Sequence, residues 1–140
     1  MEDNISKRVI GCAFTVSNQL GCGGCAFTVS NQLGCGFLEN VYENALAIEL
    51  RDQRIEFERQ KALKVYYRGV VIGQYVADIV VAQCLIIEIK ALASITSTHE
   101  AQLMNYLQAT GITVGLLLNF GTQRLGVKRI VKSHADSSPI

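Results

Sequence analysis

Apolar residues recur every three or four positions near the start of the chain, at Ile5, Val9, Cys12 or Ala13, Val16 and Leu20. This spacing predicts an amphipathic helix that stops at Gly21-Cys22-Gly23-Gly24. A second helical pattern follows Gly34-Cys35-Gly36, over residues 37–50, with Leu38, Val41, Ala45 and Ile48 on its apolar face. From Phe57 the period changes. Phe57 to Tyr67 alternates loosely and predicts a strand, and Arg68-Gly69 a turn. Val70 to Val81 and Leu85 to Lys90 are β-branched apolar runs, as strands buried in a sheet require. Residues 97–108 predict a helix with Ser97 as its cap and Glu100 three residues on, a capping-box spacing. Residues 112–120 form a strongly apolar strand and 127–131 another, ahead of a frayed tail over 133–140. The order predicts an α/β (α+β) fold: a mixed central sheet flanked by helices, in one domain spanning 1–132.

Three charges interrupt the apolar hairpin: Asp78 in Tyr75-Val76-Ala77-Asp78-Ile79-Val80-Val81, then Glu88 and Lys90 in Leu85-Ile86-Ile87-Glu88-Ile89-Lys90. Charge inside a buried strand is costly unless it is paired or bound to a metal. Glu88 and Lys90 are two apart and share a strand face. If Ala82, Gln83 and Cys84 form a three-residue loop, Asp78 lies opposite Glu88, and two carboxylates and an ammonium meet on one patch. A two-residue loop would put Asp78 opposite Ile87 and leave Glu88 on the other face. The pattern by itself leaves both registers open, and an ordinary edge hairpin with a charged solvent face stays open with them.

Composition narrows the class. The chain has 140 residues, 49% of them hydrophobic, with one proline and no tryptophan, so a sizeable core is expected and extensive disorder is not. The net charge of +1 neither demands nor excludes a polyanionic partner. No apolar run reaches membrane-span length, and the acidic start Met1-Glu2-Asp3-Asn4 does not resemble a signal peptide. A cytoplasmic location is therefore expected. Residues 11–23 recur unchanged as 24–36, a tandem duplication that accounts for four of the five cysteines. Cys22-Gly23-Gly24-Cys25 is the junction of the two copies, so its CxxC spacing needs no metal to explain it, and neither zinc nor an iron–sulfur cluster is expected. On one unbroken helix the copies would be roughly 220° out of phase, which predicts a break at the glycines.

Several other residues carry two interpretations. Glu39 opens the second helix, where the helix dipole favours an acid. Gln102 and Tyr106, four apart, share a helix face that could look back at the charged patch, or serve as a polar edge and a core aromatic. His99 and Glu100 suit a helix start. Arg124, Lys128, Arg129 and Lys132 could meet phosphates or form a solvated basic face.

Taken together, these residues resemble the PD-(D/E)XK nuclease superfamily and, within it, the small bacterial GxxExxY family. The naming motif stands as Gly36-Phe37-Leu38-Glu39-Asn40-Val41-Tyr42, and the superfamily motif as Asp78 followed by Glu88-Ile89-Lys90, with Ala77 in place of proline. Gln102-Leu103-Met104-Asn105-Tyr106 is similar to the QxxxY motif of the exonuclease-like branch. The resemblance implies a restriction-endonuclease-like core and a Mg²⁺-dependent nuclease, with Mn²⁺ as a substitute ion and DNA as substrate. It makes Asp78 and Glu88 metal ligands together with the carbonyl of Ile89, and Lys90 the catalytic lysine. Glu39 becomes an additional acid, and Gln102 and Tyr106 orient substrate or Lys90. It also favours the register that sets Asp78 across from Glu88. The alternatives are a nucleic-acid-binding module of the same fold without catalysis, and an interaction or homo-oligomerisation protein. The duplication departs from the family pattern, because it puts an extra copy between the first helix and Glu39.

Overall fold

The structure, a computed structural model, describes residues 2–20 and 37–133. The second repeat copy and residues 134–140 of the expected tail lie outside the described residues. Helix α1 (Glu2–Leu20) ends where the glycines begin. Its buried stripe is Ser6, Val9, Cys12, Ala13, Val16 and Ser17, so the first repeat copy contributes to the core.

Helix α2 (Glu39–Asp52) starts after Leu38, which holds the extended conformation of an N-cap. Its buried face differs from the expected one. Leu38 and Ile48 are exposed, and the buried stripe is Tyr42, Glu43, Leu46, Ala47 and Leu50. Two apolar stripes compete on this helix, and the larger side chains win. Tyr42 stacks on Phe120 with ring centroids 4.8 Å apart, a contact that buries more apolar surface than Val41 or Ala45 could.

Five strands form one sheet in chain order: β1 (Phe57–Tyr67), β2 (Val70–Val81), β3 (Leu85–Lys90), β4 (Val114–Asn119) and β5 (Gly126–Val131). Only β3 and β4 are parallel, and helix α3 (Ser97–Thr110) makes the crossover between them, as a parallel pair requires. Arg68 and Gly69 both have positive φ and turn the β1–β2 hairpin tightly. One sheet face carries Ile79, Val81, Ile87, Ile89, Leu116 and Leu118 against α1 and α2. The other carries Val80, Ile86 and Leu117 against Leu103, Tyr106 and Leu107 of α3.

The start of α3 corrects the expected cap by one residue. Thr96, not Ser97, is the N-cap, and its N–H donates to Nδ1 of His99 at 3.0 Å. His99 thus fills the place expected for Glu100, because a neutral imidazole nitrogen accepts as a carboxylate would. Strand β4 is also shorter than the apolar run, since left-handed Gly111 ends α3 and residues 112–113 are spent reaching the sheet. No helix among the described residues is long and apolar enough to cross a membrane.

Candidate active site

The β2–β3 register is Ile79 with Ile87, Val80 with Ile86 and Val81 with Leu85. The connection is therefore the three-residue loop Ala82-Gln83-Cys84, with Ala82 and Gln83 at positive φ. The same register carried one residue further sets Asp78 across from Glu88, and the two-residue alternative is excluded.

At that point the ladder stops. Beyond Ile79 the two strands no longer exchange backbone bonds, and side chains take over. The N–H of Ile89 donates to Oδ2 of Asp78 at 2.8 Å, and the N–H of Asp78 donates to Oε1 of Glu88 at 3.2 Å. The β1 side is irregular at the same level. Arg59 pairs with Ile79 and Lys61 with Ala77, but the intervening Gln60 and Asp78 are not paired. Gln60 has φ +49°, a left-handed conformation that a side-chain-bearing residue adopts only at a cost. Strict alternation also fails here, since Ala77 and Val80, three apart, both lie in the core beneath α3. Asp78 thus sits at a fork where β2 separates from β3, held by side chains on both neighbouring strands.

The strained turn at Gln60 brings its amide between two acids. Its Nε2 donates to Oε1 of Glu43 at 2.7 Å and lies 3.5 Å from Oδ1 of Asp78. Glu43 is buried and also accepts from Nε of Arg59 at 2.9 Å, closing an ion pair. The Arg59 guanidinium further donates to Oδ1 of Asn44. Sequence reasoning missed Glu43 and Gln60, because an acid on a buried helix stripe counts against that stripe. The available signal was spacing: Glu43 stands four residues after Glu39 and so on the same helix face.

Glu39 is exposed and accepts from the Ala91 N–H at 3.2 Å, which ties α2 to the end of β3 just past Lys90. Lys90 is half-buried and pairs in register with Asn119 of β4, and its carbonyl accepts from the Phe120 N–H. Lys90 forms no ion pair within 4.0 Å among the described residues. The loop that follows is clamped by buried Asn119, whose amide donates to the Leu92 carbonyl and accepts from the N–H groups of Leu92 and Gly121.

Glu88 is 5% exposed. Burial, and then the neighbouring Asp78 carboxylate, push its pKa up to about 8. Tyr106 projects from α3 toward the same pair: burial first, then the charges of Glu88 and Asp78, push its hydroxyl up to about 12. Its ring lies against Tyr75, centroids 5.2 Å apart. Gln102, one turn earlier on α3, is exposed. Asp78, Glu88 and Tyr106 are therefore brought together, with Lys90 and Glu39 at the near end of β3 and Gln102 on the outer surface of the helix. In the C-terminal basic group, Lys128 lies 3.9 Å from Glu100.

Among the described residues, no three His, Cys, Asp or Glu side chains converge to hold a metal. The fork offers two carboxylates, with the Ile89 backbone between them and the lysine. Hard divalent cations that keep several waters are held by such small oxygen sets.

The chain is similar to known proteins in two comparisons. A family profile described as the PD-(D/E)XK nuclease superfamily matches residues 23–130. Among solved structures, the crystal structure of SSO0001 superposes with a TM-score of 0.56 at 20% identity, over 70% of this chain and 52% of that one. The likeness is one of fold, and this chain spans about half the length of that structure. No curated protein matches the chain.

Proposed function

Because the chain belongs to the PD-(D/E)XK nuclease superfamily, we propose that it is a Mg²⁺-dependent nuclease of the GxxExxY kind, hydrolysing phosphodiester bonds of DNA. The observation that carries this proposal is the meeting of Asp78 and Glu88 at the fork, with Lys90 two residues on along the same strand face. A buried Glu88 carboxyl held protonated up to about pH 8, with the half-buried Asp78 beside it, is short of positive charge. In this reading Asp78, Glu88 and the Ile89 carbonyl hold Mg²⁺, or Mn²⁺ in its place. When bound, the ion supplies polarisation of a phosphoryl oxygen and a lowered pKa for an attacking water.

The chain's own residues do the rest. Lys90 carries no competing ion pair among the described residues, so its ammonium is available to the scissile phosphate or the attacking water. Glu39, anchored on the Ala91 N–H, adds an acid at the end of β3. Tyr106 keeps its proton through neutral pH and serves as a donor that orients Lys90 or substrate. Gln102, on the exposed surface of α3, contacts substrate rather than Lys90. A cytoplasmic site of action completes the proposal.

The test is incubation with linear, circular and single-stranded DNA, with Mg²⁺ or with chelator. Wild type is expected to cut only with the metal, and Asp78→Ala or Lys90→Ala to lose more than about 100-fold of the rate. Cutting that survives chelator or either substitution, or no cutting of any substrate, removes the proposal.

A further inference from the structure

The β1–β2 hairpin outruns the rest of the sheet. Strand β3 pairs with β2 only at Ile79, Val80 and Val81, so residues 70–77 of β2 have β1 on one side and no described strand on the other. About four N–H and four C=O groups point out along such an edge. The outer strands of this sheet carry the charges that discourage edge pairing: Glu58, Arg59, Lys61 and Lys64 on β1, Lys128 and Arg129 on β5. The open stretch of β2 carries none. Residues 69–77, Gly-Val-Val-Ile-Gly-Gln-Tyr-Val-Ala, contain neither a charge nor a proline.

The side chains point to a partner as well. Among the described residues, seven of the thirteen exposed large apolar side chains fall within the eleven positions from Tyr66 to Val76, with Ile72 64% and Val70 62% exposed. Together they leave on the order of 600 Å² of apolar surface open on one arm. Five of them, Val70, Val71, Ile72, Tyr75 and Val76, lie on the open stretch of β2 itself, and a second strand beside it would cover part of that surface as well as pairing the main chain.

We propose that this edge of β2 pairs antiparallel with the same edge of a second copy of the chain, joining the two sheets across a two-fold axis. The edge is self-complementary, as a two-fold contact requires. Pairing over residues 70–77 sets Val70 against Ala77 of the other copy. The Arg68–Gly69 turn of each copy then comes beside Asp78 of the other, so opposite charges meet at both ends of the contact. A polyanion is served less well, because the open edge itself presents no cation. The inference does not depend on catalysis.

Sedimentation of the full chain tests it, with amide exchange on the same samples. The expected result is a monomer–dimer equilibrium reaching dimer by about 100 μM, with concentration-dependent protection confined to the amides of residues 70–77. The double substitution Val71→Lys and Ile72→Lys sets lysines opposite Val76 and Tyr75 of the other copy, where their charge must lose water, and should weaken association at least about 30-fold. Both side chains are exposed, so the circular dichroism of the monomer should be unchanged. The exchange experiment needs no substitution and stands if the variant fails to fold. Three results would overturn the proposal: a wild type that stays monomeric at about 100 μM, a dimer unmoved by the lysines, or protection mapped elsewhere. A monomer whose 70–77 amides become protected only by a single-stranded oligonucleotide would reassign the edge to nucleic acid.

Discussion

Asn119 gives the loop after β3 the partners that a strand would otherwise supply. Its one amide serves Leu92 N–H, Leu92 C=O and Gly121 N–H, so it places the stretch that leaves Lys90. Asn119→Ala is expected to cost about 1–2 kcal/mol, because it takes away the amide that serves three part-buried backbone groups. Urea unfolding measures this, and a change below about 0.5 kcal/mol would mean the loop holds itself. The neighbouring glycine has a separate steric reason: a Cβ at Gly121 would lie 2.3 Å from the Leu92 nitrogen, so Gly121→Ala must displace backbone. Gln60 has the opposite character. It accepts a left-handed backbone in order to put an amide between Glu43 and Asp78. No propensity scale would place it there, which is why it was invisible in the sequence while Asp78, Glu88 and Lys90 were not.

At the level of elements, the duplication raises a question of occupancy. Both copies are identical, and the first packs as part of α1. Register suits it to that place. Ahead of the first copy, Ile5, Ser6 and Val9 fall in phase with its buried stripe; ahead of the second, the same offsets hold Asn18, Gln19 and Cys22. The family match begins at residue 23 and takes in the second copy instead, since identical segments fit one profile equally well. Deleting residues 24–36 is therefore expected to leave the fold intact and the thermal midpoint equal or higher, because a shorter connection costs less to close. A chain that fails to fold without them would give the second copy a structural role. The strands were legible because the loose alternation of β1, the β-branched apolar runs of β2 and β3 and the Arg68-Gly69 turn all agree, and β1, β2 and β3 have the expected bounds. Helix α2 was legible as a helix but not in its rotation. Two stripes compete on it, and the choice rests on Phe120, far along the chain from the helix. The cap of α3 lies one residue before the expected one because His99 accepts the hydrogen bond that the capping-box spacing assigns to Glu100.

For the molecule as a whole, the buried pair makes stability depend on pH. Glu88 takes up its proton near pH 8 in the folded chain and near 4.5, the ordinary value for a glutamate, when unfolded. Between those values the native state binds the extra proton, so stability is fully present below about pH 4.5 and is lost as pH rises through about 8. In chelator, the gap in stability between Glu88→Gln and wild type should be small at pH 5. By pH 9 it should grow to a few kcal/mol in favour of the variant; a gap independent of pH would mean Glu88 is ionised throughout. The fork reaches further than energetics. The Ile89 N–H hangs on Asp78 Oδ2, where a continued ladder would have given it a backbone carbonyl. Any cation drawn to Asp78 must withdraw electron density from that oxygen, and the amide proton on the next strand will register the loss. The resonance of one backbone amide, in a chain doing no chemistry at all, is thus a built-in indicator of whether the carboxylate is loaded.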